Sequence, residues 1–217
     1  RLKIALCTAS PIGSRISPEA TQAAKQAADF LAAAGHEIIE IPYPVDGAAL
    51  IRSYYQMNGA ETTAMMNSIQ QGLGRPIRKE EIEPFSWTMH QFGQKIPAAT
   101  YVHSLQLWDQ AAVTMEELFQ KFDLFLSPTT AFSAPKINED LQSEHIRQRM
   151  EQAAELTAAE LAELIYDYFD KSLQLTPYTQ LANLTGQPAI SLPTHVTATG
   201  LPLGIQLLAA RGREDLL

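Results

Sequence analysis

Covalent chemistry needs a nucleophile with a base in reach, and the first residues to weigh are Ser133 and Lys136, which stand in S-x-x-K spacing around Ala134 and Pro135. On a helix that spacing would put hydroxyl and amine on one face. The S-D-N and K-T-G elements that accompany such a pair are absent, and Pro135 opposes the helix, so the pair is not taken as catalytic. The five histidines, His36, His90, His103, His145 and His195, fall in no metal-ligand spacing and are expected at the surface or in structural roles. Gly72-Leu73-Gly74 lacks the third glycine and preceding strand of a dinucleotide fingerprint, and reads as a helix stop. The single cysteine, Cys7, lies in an apolar run and is expected to be an inert core thiol. It excludes a disulfide framework and Cys-rich zinc sites. Thr129 and Thr130 differ from all of these. They follow a short apolar strand, and ligands of open α/β sheets gather at strand carboxyl ends, which makes Thr129 a candidate substrate-binding residue.

The elements that must position these residues are legible in the hydropathy pattern. Leu2 to Cys7 reads as a buried strand, and Ser17-Pro18-Glu19 opens a helix that Gly35 stops. His36 to Ile41 is a second strand, so the opening is a βαβ unit with parallel strands. Ala48 to Gln71 is predicted helical, interrupted by Asn58-Gly59; Pro84 to Lys95 gives a shorter helix. Pro97 to Phe122 carries one apolar stripe through Tyr101, Val102, Leu105, Trp108 and Met115. Asp123 to Leu126 is a strand, Thr157 to Glu160 a capping box, and Ser133 to Glu144 a flexible stretch. Ala189 to Leu192 and Leu203 to Ala209 are expected to pair antiparallel.

Sixteen Lys+Arg against 24 Asp+Glu give a net charge of −8 over 217 residues, with no basic stripe, so a nucleic-acid partner is excluded. Charged residues make up only 18%, below the roughly 25% usual for soluble domains. No apolar run reaches the length of a bilayer span, so no membrane partner is expected. The low charge fraction implies a face normally covered by protein, and with it self-association of the chain on its own. The chain opens at Arg1 in a strand and closes at Leu217 in a first helical turn, so both ends are expected to be cut; a cytoplasmic location is expected.

Three segments in fixed order carry a resemblance. They are Asp123-Leu124-Phe125-Leu126-Ser127-Pro128-Thr129, then Asn183-Leu184-Thr185-Gly186-Gln187-Pro188-Ala189, then Gly200-Leu201-Pro202-Leu203-Gly204-Ile205-Gln206. Together they resemble the C-terminal half of the amidase signature family. Gly74-Arg75-Pro76, Ser86-Trp87 and Gly212-Arg213-Glu214-Asp215 are most similar to the branch containing 6-aminohexanoate cyclic-dimer hydrolase. The resemblance covers nearly the whole chain. It implies an α/β fold, a mixed sheet covered by several helices, and residues 1–217 as the C-terminal portion of an amidase domain. It implies hydrolysis of a small carboxamide by a Ser, cis-Ser, Lys triad, without metal or cofactor. The Gly/Ser-rich segment that bears the triad has no counterpart here, so no catalytic residue is assigned and the missing N-terminal half becomes a partner. The resemblance aligns Asn58 with a small polar position facing the substrate cleft, and gives Trp87 a place as a wall of the acyl pocket. A non-catalytic binding module of the same fold, and the amidotransferase subunit acting on charged tRNA, are the competing readings.

Overall fold

All residues, 1–217, are described in the computed structural model. Five strands and seven α-helices follow one another along the chain: β1 (Lys3–Leu6), α1 (Pro18–Ala33), β2 (Glu37–Glu40), α2 (Gly47–Leu73), α3 (Pro84–Gly93), α4 (Ala98–Phe119), β3 (Leu124–Pro128), α5 (Glu144–Glu151), α6 (Ala158–Leu175), α7 (Gln180–Thr185), β4 (Ala189–Val196) and β5 (Pro202–Ala209). They form two compact units. A sheet unit holds Arg1–Ala48, Trp108–Glu139 and Ser172–Leu217; a helical unit holds Ala49–Leu107 and Asp140–Lys171.

In the sheet unit the strand order is β2-β1-β3-β5-β4. β1 is parallel to β2 and to β3, while β5 runs antiparallel to both β3 and β4. This is the expected mixed α/β sheet, with both expected pairings present. The chain leaves β1 for β2 on one side and returns to β3 on the other, so the carboxyl ends of β1 and β3 flank a topological switch point. Alternation then assigns the faces. Ile4, Leu6, Leu124, Leu126, Ile205, Leu207 and Ala209 point to one side and pack against Ala23, Ala24 and Ala28 of α1. That helix starts where Ser17 Oγ accepts the Ala20 amide at 3.0 Å, and ends at Gly35, whose φ of +94° suits glycine. The register of β4 on β5 shifts between Leu192 and His195, around Pro193, which has no N–H to give to a ladder.

In the helical unit, α2 runs through Asn58-Gly59 without the interruption expected from the sequence. The glycine serves packing instead. A Cβ on Gly59 would lie 2.7 Å from Phe92 Cδ1, and one on Gly93 would collide with the Gly59 carbonyl, so α2 and α3 cross at a contact that only two glycines permit. The stripe along α4 is also only partly buried. Val102, in the helical unit, is 51% exposed, whereas Met115, in the part of α4 that belongs to the sheet unit, is fully buried. Two helices were not anticipated. α5 has only Ile146 and Met150 as apolar residues, one turn apart, which is too short a record for periodicity; Ser143 caps it. α7, which belongs to the sheet unit, is six residues long and ends at Gly186 with φ +77°. Arg211 donates to the Thr185 carbonyl that this helix end leaves open, with Nε at 3.0 Å. Glu160 and Thr157 make the expected capping box on α6, and the Glu160 carboxyl is held below its usual range by the Thr157 amide and hydroxyl.

Candidate binding sites and their chemistry

Helical spacing builds the first site. Tyr54, Asn58, Thr62 and Met65 recur at successive turns of α2, and with Tyr55 they line a cavity of about 220 Å³. Phe85, Ser86 and Met89 of α3 and Phe169 of α6 complete it. An aromatic frame fixes the walls. Tyr55 stacks on Phe169 at 5.0 Å, Phe85 stacks on Tyr168 at 4.3 Å, and Phe85 meets Phe169 edge-on at 5.2 Å. Burial, with Tyr166 and Tyr54 nearby, pushes the Tyr55 hydroxyl above its ordinary pKa, so it stays neutral. Asn58 Nδ2 donates to the Tyr54 carbonyl at 3.0 Å, which orients the amide and leaves Oδ1 and a second N–H for a ligand. A mostly apolar cavity with few convergent polar groups is the usual form of a small-molecule site. Among the residues lining the cavity, Ser86 has no His, Lys or carboxylate beside it to activate its hydroxyl.

Trp87 lies on α3, half-buried, and is not among the residues lining the cavity. Its indole is 6.0 Å from the imidazole of His90. His90 is only 4% exposed, in keeping with a structural histidine; burial lowers its pKa and its Nδ1 has no hydrogen-bond partner. Gln94 Nε2 lies 2.6 Å from His90 Nε2, which assigns the acceptor role to that nitrogen.

The second site belongs to the sheet unit. Thr129 follows the carboxyl end of β3, and its N–H donates to the Gly204 carbonyl at 3.0 Å. Its hydroxyl lies 2.7 Å from that of Ser191 on β4. A Cβ on Gly204 would stand 3.0 Å from Ser191 Oγ and 3.1 Å from Thr129 Oγ1. Three segments far apart in sequence thus meet at one pair of hydroxyls, over a glycine on the intervening strand. Sequence reasoning singled out Thr129 and missed Ser191. Only the strand register joins them: Ser191 pairs with Gln206 on β5, two residues along from Gly204. Thr130 turns away, donating to the Phe132 carbonyl at 2.9 Å.

The remaining candidates do not make a reactive centre. Cys7 is fully buried and burial raises its thiol pKa. Ser133 and Lys136 lie in a stretch without helix, so the spacing does not put them on one helical face. No group of three or more His, Cys, Asp or Glu side chains is arranged to hold a metal ion. No helix is long and apolar enough to cross a membrane.

The Amidase family model matches residues 1–217. The chain is 38% identical over 218 residues to a lipoamidase of Enterococcus faecalis, covering 99% of this chain and 30% of that protein. It is 27% identical over 219 residues to the 6-aminohexanoate-cyclic-dimer hydrolase of Paenarthrobacter ureafaciens, covering all of this chain and 42% of that protein. The solved structure of 6-aminohexanoate cyclic dimer hydrolase complexed with substrate superposes with a TM-score of 0.74 at 26% identity, over 99% of this chain and 42% of that one. The chain therefore spans about a third to two fifths of the length of these relatives.

Proposed function

The chain belongs to the amidase family, and from that premise we propose that it is the C-terminal portion of an enzyme that hydrolyses the C–N bond of a carboxamide. In this reading the acylated serine, its cis-Ser and Lys partners and the oxyanion donors come from the rest of the enzyme, and residues 1–217 supply substrate contacts. The observation that carries the reading is the aromatic cavity around Asn58. It fits an amide with an apolar acyl or amine arm, the arm lying against Tyr55, Phe85, Met65 and Phe169, with the Asn58 amide as a polar contact. Thr129 is proposed separately as a substrate contact of the sheet unit, and Trp87 backs the acyl pocket from one position beyond the lining Ser86. An aliphatic acyl group has the right polarity for such walls. No metal or cofactor is needed. A cytoplasmic location belongs to the same proposal, as does self-association of the isolated chain through the exposed α2 row of Met65, Ile69 and Leu73.

The test is hydrolysis of simple aliphatic and aryl amides by the full-length protein that contains this chain, alongside residues 1–217 alone. Turnover by the former and none by the latter is expected. Turnover by 1–217 that disappears on replacing one of its own Ser or Lys residues would overturn the proposal.

A further inference from the structure

We infer that Thr129 and Ser191 act together as one anchor for the amide group of a bound ligand, and that Gly204 keeps the place open. This rests on the amide-hydrolase reading above and deepens it, because it says which chemical group the sheet unit recognises. Two hydroxyls bring two O–H donors and four lone pairs. Their mutual bond of 2.7 Å consumes one donor and one lone pair. What remains is one O–H, polarised by the bond behind it, and lone pairs on both oxygens. A carboxamide presents the complement, one C=O acceptor beside one N–H donor. A carboxylate offers acceptors only and finds a single donor; an ester lacks the N–H.

Placement supports a binding role over a purely structural one. Thr129 stands just past the carboxyl end of β3, the kind of strand end where ligands of such sheets collect, and its hydroxyl reaches across β5 to Ser191 on β4, on the side away from β1. Ser191 is exposed and Thr129 half-exposed, so a ligand can reach both oxygens. The Thr129 backbone is held by its N–H on the Gly204 carbonyl, and Ser191 by the β4–β5 register, so the geometry is set before a ligand arrives. Gly204 has an ordinary negative φ, so its small size is not demanded by its backbone conformation. What a side chain there would meet is the two hydroxyl oxygens and the Leu192 carbonyl, at 3.0 to 3.2 Å.

The experiment uses the full-length protein with a matched amide and ester, identical except for N–H against O, and residues 1–217 titrated with hexanamide while backbone resonances are followed by NMR. Ser191→Ala should raise KM for the amide about 5- to 10-fold, the loss of one hydrogen bond, and move KM for the ester less than about 2-fold by the same reasoning; Gly204→Ala crowds both hydroxyls and should raise KM for both substrates. Thr129→Ser, which keeps the hydroxyl, should behave as wild type, and Thr129→Val should behave as Ser191→Ala, so the inference stays testable if Gly204→Ala folds poorly. Hexanamide should shift the resonances of residues 129, 191 and 204. A lower Tm with unchanged KM for both substrates in Ser191→Ala would overturn the anchor and make the pair a clip between strands. Equal losses for amide and ester in Ser191→Ala or Thr129→Val would overturn it too, as would a folded Gly204→Ala variant with wild-type KM for both. If the full-length protein hydrolyses no amide while hexanamide still shifts these resonances, the anchor stands and the hydrolase reading falls; turnover without those shifts and with unchanged amide KM in the variants is the reverse.

Discussion

The sheet unit and the helical unit position polar groups by opposite means. In the sheet unit the backbone does it: strand register and one main-chain bond set Thr129 and Ser191 across Gly204, and the side chains only have to be short. In the helical unit side chains do it: stacked Tyr55, Phe169, Phe85 and Tyr168 shape the cavity that Asn58 looks into. A site set by register is as stiff as the ladder beneath it, whereas one set by aromatic packing depends on every ring that fills its walls. The difference teaches that substitutions should damage the two sites through different routes, and it can be broken or sharpened by experiment.

The largest effects belong to the two cores. Leu126 in β3 and Ile165 in α6 are both fully buried, so Leu126→Ala and Ile165→Ala should each cost about 2–5 kcal/mol in urea denaturation. The comparison predicts that Leu126→Ala shifts the resonances of Thr129 and Ser191, and that Ile165→Ala shifts those of residues lining the aromatic cavity. Either substitution leaving the denaturation midpoint in place would break the assignment of that core. Next comes the glycine crossing of α2 and α3. Gly93→Ala places a Cβ against the Gly59 backbone, and overpacking of this kind costs about 1–3 kcal/mol. Thermal unfolding checks it, and wild-type stability would show that the helices have room to part.

The smallest effect is a pH dependence confined to the helical unit. Burial depresses the pKa of His90 in the folded chain, so the unfolded chain takes up the proton first as pH falls. Stability should therefore decline once pH drops below the ordinary imidazole value of about 6.5, and stop declining below the folded pKa. In His90→Gln that part of the slope should vanish. An identical slope between pH 7 and 5 in both proteins would show that another group is responsible.

How far these features could be read from the sequence follows the same division. The βαβ opening, the antiparallel end of the sheet and the capping box at Thr157 rest on local rules, and the structure has them all. Thr129 was legible because a strand end is a local feature. Ser191 was not, because its partner lies 62 residues away and only the register joins them. Asn58 came from the family resemblance alone, and nothing local indicated that Phe85 and Phe169 would wall it in. Gly59 was misread as a break, since a glycine inside a helix looks the same in sequence whether it ends the helix or admits Phe92. α5 escaped for lack of apolar period.

The central claim is that this chain binds the amide while another part of the enzyme is acylated. The most direct measurement treats the full-length protein with a fluorophosphonate that forms a stable adduct on an activated serine, and locates the adduct by peptide mass spectrometry. The account predicts an adduct on a serine outside residues 1–217, retained in Asn58→Ala while kcat/KM for the amide falls about 10-fold, the equivalent of one lost hydrogen bond. An adduct on Ser86, Ser133, Ser191 or any other serine of these 217 residues would contradict it.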